Sequence, residues 1–102
     1  MLSTRFTQLV GCEIPIQQAP MGLISPPSLA LAVAKAGAVG SVSVPLGVDP
    51  AELEDRLDEL VAEKPGVVAA NFITGEVNRS AVAVAGSRVR IVDFFWDQPH
   101  PQ

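Results

Sequence analysis

The fold of this chain is decided by the stretch Ile14-Pro15-Ile16-Gln17-Gln18-Ala19-Pro20-Met21-Gly22. From Ile14 to Ala19 the apolar residues are not cleanly alternated, which predicts a strand buried on both faces. Pro20 cannot donate a ladder hydrogen bond, and at Met21 and Gly22 the backbone is free to turn sharply or to lie against a ligand. Met21 is the only methionine after the initiator. It stands where the strand ends, the side on which parallel α/β folds bind ligands. Two readings of Ala19 to Gly22 follow from residue type: the end of a buried strand with Met21 filling a core gap, or the rim of a binding site.

Before this strand, residues 1–13 are mixed in polarity and predict a lead-in hairpin, a short helix or a loop. After it, Ser25-Pro26-Pro27-Ser28 predicts a helix start near Pro26, with a hydroxyl cap and proline in the first turn. Leu29, Val33 and Ala36 mark its apolar face, and Gly37 its exit. Ala38 to Val44 is a second short strand. Gly37 and Gly40 come after a helix and enter a strand, the reverse of a pyrophosphate-binding turn, so they are assigned to helix exit and tight packing. Asp49 as cap, Pro50 at the first helical position and Glu52 reaching back predict the next helix, with Leu53, Leu57, Leu60 and Val61 as its stripe. Its many acidic residues form a solvated face with no pair placed for acid/base catalysis.

Lys64-Pro65-Gly66 ends that helix, and Val67 to Ile73 is a third strand, apolar until Asn71. An unpaired amide there costs about 1–3 kcal/mol, so Asn71 must bond to local backbone or to a bound molecule. A weaker helix spans Gly75 to Gly86, with Gly86 offering the exit, and Val89 to Phe95 is the fourth strand. The tail from Trp96 to Gln102 adds no element, and His100, between two prolines, reads as an exposed histidine without a role.

Composition narrows the function. The chain has 102 residues, 48% of them hydrophobic, and a net charge of −4 with no basic cluster, which argues against nucleic acid or an anionic membrane as partner. A single cysteine, Cys12, excludes an internal disulfide or a cysteine-based metal cluster and fits a reducing compartment as a buried, inert thiol. No leader or spanning segment is evident, so the chain reads as soluble and cytoplasmic.

Strand starts recur at intervals of roughly 25 residues with helices between them, a repeated βα pattern. Four such units make either an open flavodoxin-like sheet or the N-terminal half of a (β/α)8 TIM barrel. A half-barrel leaves the first and fourth strands unpaired, so the expectation is a single unit over residues 1–102 that is truncated or that needs a partner or a second copy to close.

Glu13-Ile14-Pro15-Ile16-Gln17-Gln18-Ala19-Pro20-Met21-Gly22, Ser25, the passage from Leu29 to Gly40, and Asn71-Phe72 together resemble the N-terminal part of nitronate monooxygenase, formerly 2-nitropropane dioxygenase. The resemblance implies a flavin-binding TIM barrel with non-covalent FMN at the carboxyl ends of the strands. It implies that the backbone of Ala19, Pro20 and Met21, with Gly22, lies against the isoalloxazine ring, and that the Asn71 side chain hydrogen-bonds it. Such packing and fixed polar groups are what a flavin takes from its protein. The family's catalytic histidine and phosphate loops fall beyond Gln102, so no catalytic residue and no metal site is assigned. Leu23 and Ile24 depart from the small residues usual after the motif's Met, and Phe94-Phe95-Trp96 is bulkier than expected; both bear on the substrate.

The implied reaction is FMN-dependent oxidation of alkyl nitronates by molecular oxygen, with the isolated chain inactive. The alternatives are an FMN-dependent enoyl-acyl-carrier-protein reductase using NAD(P)H, and a non-catalytic half-barrel fragment.

Overall fold

Two threonines start the first element. Thr4 Oγ1 accepts from the Thr7 amide at 3.1 Å, and Thr7 Oγ1 accepts from the Thr4 amide at 2.8 Å, a reciprocal cap on helix α1, Arg5–Val10. In the computed structural model, which describes residues 2–21, 26–74 and 78–95, the lead-in is therefore a short helix. Gly11, at φ 85°, turns the chain out of it.

The expected first strand is reduced to a single parallel bridge, Gln17 to Val39. Pro15 has no N–H, and the Ile16 amide bonds back to Ile14 O at 2.8 Å, a tight local turn that takes the backbone out of the ladder. Nothing among the described residues pairs with its outer side. Ile14 and Ile16 are 36% and 60% exposed, so the expectation of burial on both faces is corrected.

Helix α2, Pro27–Lys35, packs on strand β1, Gly40–Ser43. A Cβ built on Gly40 would stand 1.9 Å from Ala30 O, so the helix backbone lies directly on the strand. Only small residues fit that contact, and Ala30 and Ala34 are the buried ones. The expected face of Leu29, Val33 and Ala36 is thus rotated, with Leu29 37% exposed. Gly37 leaves the helix at φ 102°, and the assignment of both glycines to exit and packing holds.

Helix α3, Pro50–Ala62, starts as expected: Asp49 caps the Ala51 amide at 3.1 Å and Pro50 takes the first position. Glu52 pairs forward with Arg56 rather than reaching back. Leu53, Leu57 and Leu60 are buried, while Val61 falls outside the stripe at 39% exposure. Strand β2, Val68–Ile73, follows. Helix α4, Arg79–Arg88, begins later than expected, with Asn78 accepting from the Ser80 and Ala81 amides. It runs through Gly86, where a Cβ would meet nothing within 4 Å, so no close approach forces an exit there. Strand β3 is Ile91–Phe95.

The sheet is parallel, in the order β1-β2-β3, with Ser43, Asn71 and Asp93 in register. Adding the Gln17 bridge beside β1 gives an order that follows the chain. A flavodoxin-like sheet would instead place the first strand between the second and third. Alternation along each strand separates two faces. On one, Val44, Ala70, Phe72 and partly buried Val42, Val92 and Phe94 meet Leu53, Leu57, Ala81 and Ala85 of α3 and α4. On the other, α1 and the turn after it cover the amino-terminal end, with Val10 and Cys12 against Val39 and Ala69. Cys12 is buried, as expected.

Arg90 anchors that cover. Its Nε donates to Val10 O and its Nη2 to Leu9 O, both at 3.1 Å, so a cation sits at the carbonyl end of α1. Among the described residues no helix is long and apolar enough to cross a membrane, and no three His, Cys, Asp or Glu are grouped to hold a metal ion.

Candidate functional site

The α1-covered face changes character midway along the strands. Past the apolar contacts of Val39, Ala69 and Ile91 comes a polar row: Gln17, Ser41, Asn71 and Asp93. Ser41 and Asn71 are 1% and 3% exposed, so their polar atoms must be bonded within the protein or to a ligand.

Asn71 Nδ2 donates to Asp93 Oδ1 at 2.6 Å. Gln17 Nε2 donates to Asp93 Oδ2 at 2.9 Å and approaches Ser41 Oγ at 3.3 Å. Both carboxylate oxygens are thus engaged by amides from two different segments. Asn71 therefore bonds to a side chain across the sheet. That corrects the expectation of local backbone or a bound molecule as the only choices. The register explains it, because Asn71 and Asp93 are direct Cα partners on one face.

Gln18 does something different. Its Oε1 accepts from the Ser41 amide at 3.1 Å, and its Nε2 donates to Ser41 O at 3.2 Å and to Ala19 O at 3.1 Å. The side-chain amide occupies the place of a strand peptide in the ladder with β1. The only bridge of this segment to its neighbour among the described residues is Gln17 to Val39, and Ala19 O accepts from the Gln18 side chain. Ala19 and Met21 are exposed and Pro20 is half-buried.

One step further along the same face, Ile73 and Phe95 are register partners at the carboxyl ends of β2 and β3, 37% and 45% exposed. The arrangement is an apolar, open rim above a fixed amide and carboxylate. Phe94 does not join it. It packs on Phe72 on the helix side, ring centroids 5.9 Å apart, so of the bulky strand end only Phe95 faces the rim among the described residues.

The expected residues are thus partly assembled. Asn71 is linked through Asp93 to Gln17, two residues before Ala19, while Gly22, Leu23, Ile24, Ser25, Trp96 and His100 lie outside the described residues. Sequence reasoning missed Asp93, Gln17 and Ser41. The signal for Asp93 was there: a lone acid within Ile91-Val92-Asp93-Phe94-Phe95, the same interruption of an apolar strand that marks Asn71.

A family model described as nitronate monooxygenase matches residues 3–85. The nitronate monooxygenase of Pseudomonas aeruginosa is 49% identical over 43 residues, which are 42% of this chain and 12% of that protein. The shared segment is a small part of that relative's length.

Proposed function

Because this chain belongs to the nitronate monooxygenase family, we propose that it forms the first βα units of a TIM barrel that binds FMN and oxidises alkyl nitronates with molecular oxygen. The observation that carries the reading is Asn71. It is buried at the carboxyl side of β2, its side-chain amine is committed to Asp93, and the open apolar rim of Ile73 and Phe95 lies one step further along the same face.

The residues fit a flavin by their chemistry. A flat heteroaromatic ring with a polar edge takes apolar contact on its face and a few fixed donors or acceptors at its rim. Ile73 and Phe95 offer the first, and Asn71 offers the second. In this reading the backbone of Ala19, Pro20 and Met21, with Gly22, lies against the ring, as the resemblance to the family implies.

Bound FMN supplies the redox chemistry, accepting reducing equivalents from an anionic nitronate and passing them to oxygen. The chain's own part is to bind, orient and exclude water. Closure of the barrel by later strands would cover the open inner face, and the family's catalytic histidine is expected there, beyond Gln102. The 102-residue chain alone is accordingly expected to bind FMN without turnover.

The test is oxygen uptake by the protein carrying this segment and the remaining strands, reconstituted with FMN. Consumption on adding propionate 3-nitronate or ethyl nitronate, without NAD(P)H, supports the reading. NAD(P)H oxidation that depends on an enoyl thioester replaces it with an enoyl reductase, and absence of flavin binding reduces the chain to a non-catalytic segment.

A further inference from the structure

An asparagine amide presents opposite polarity in its two orientations, so a site that uses one must forbid the other. At Asn71 that choice is made by Asp93. With Nδ2 donating to Asp93 Oδ1 at 2.6 Å, the flipped amide would set its carbonyl oxygen against a carboxylate. Asp93 is in turn held by Gln17, whose Nε2 spans Asp93 Oδ2 and Ser41 Oγ. Residues from segments distant in sequence are thereby linked to one amide, and Asn71 itself is 3% exposed.

We infer that Asp93 is the positioning residue for Asn71: braced by Gln17, it locks the amide with its carbonyl presented to the bound ring. This rests on the flavin reading for the identity of the ring, but the lock itself exists in the chain without it. Asp93 has both oxygens occupied and acts through Asn71 rather than on the ligand. Its effect on binding must therefore vanish when Asn71 is removed.

Two measurements on the full chain decide this. By NMR, one Asn71 Nδ2 proton is expected downfield and slow to exchange. It should return to an ordinary amide position in Asp93→Ala and be largely restored in Asp93→Asn, which keeps an acceptor oxygen. FMN titration should show weakening of about tenfold in both Asn71→Ala and Asp93→Ala, with the double variant no weaker than Asn71→Ala alone. Gln17→Leu, which loosens the brace without touching Asn71, should shift both readouts in the same direction by less, and serves if Asp93→Ala fails to fold. An Asn71 amide unchanged in Asp93→Ala, or additive losses in the double variant, overturns the inference. Wild-type chain that binds no FMN overturns the flavin reading instead, and the amide resonances then decide the positioning claim alone.

Discussion

At Gly40 a single missing methyl group sets how helix and sheet meet. Its replacement by alanine would drive a Cβ to 1.9 Å from Ala30 O, backbone that cannot swing away. Gly40→Ala should therefore lose about 2–3 kcal/mol of stability, measured by chemical denaturation. A loss under about 0.5 kcal/mol would mean that α2 shifts freely on β1. This much was legible in the sequence, because a glycine just after a helix exit and inside a strand has few other uses. Asn71 was legible as a polar break in a buried strand that needs a partner, and the identity of that partner was not. Asp93 lies twenty-two positions away, and only the parallel register places the two side by side. Residue type could flag each polar break in an apolar strand, but not that the two breaks meet.

Among the elements, α3 was the most legible, since Asp49, Pro50 and the leucine spacing all point the same way. Asp49→Ala removes a bond to the Ala51 amide and should cost about 1 kcal/mol, read from denaturation midpoints. The acidic face of α3 proved more than a solvated surface. Arg88 of α4 donates to Glu54 at 2.7 Å and to Asp58 at 3.1 Å, joining the two helices. These acids are about half exposed, so Arg88→Ala should cost no more than about 1 kcal/mol, and the difference from wild type should shrink as salt is raised. A loss that does not respond to salt would assign the effect to packing of the arginine stem. The first strand was misjudged for a physical reason. Its residue types suit a buried strand, but Pro15 and the Ile14–Ile16 turn limit it to one bridge, and the Gln18 side chain completes the pairing that the backbone leaves unmade. A side chain substituting for a peptide group leaves no mark on hydrophobic periodicity.

Over the whole molecule, the alternation of strand and helix foretold a parallel sheet, and the strand order follows the chain. The order itself was not legible, because both sheet types share the same sequence of elements. What distinguishes them is which strand pairs with which, a matter of long-range contact. The two faces then divide the labour: one is packed by α3 and α4, and the other runs from an apolar floor under α1, through the polar row, to the open rim of Ile73 and Phe95. That gradient is the physical basis for our proposal that a planar cofactor binds at the carboxyl end of the sheet. The most direct measurement is a titration of the full chain with FMN, followed by flavin fluorescence and visible absorbance, in wild type and Asn71→Ala. Saturable binding at one flavin per chain, weakened about tenfold by Asn71→Ala, is the predicted result. Binding that does not saturate, or that is indifferent to Asn71, would contradict it.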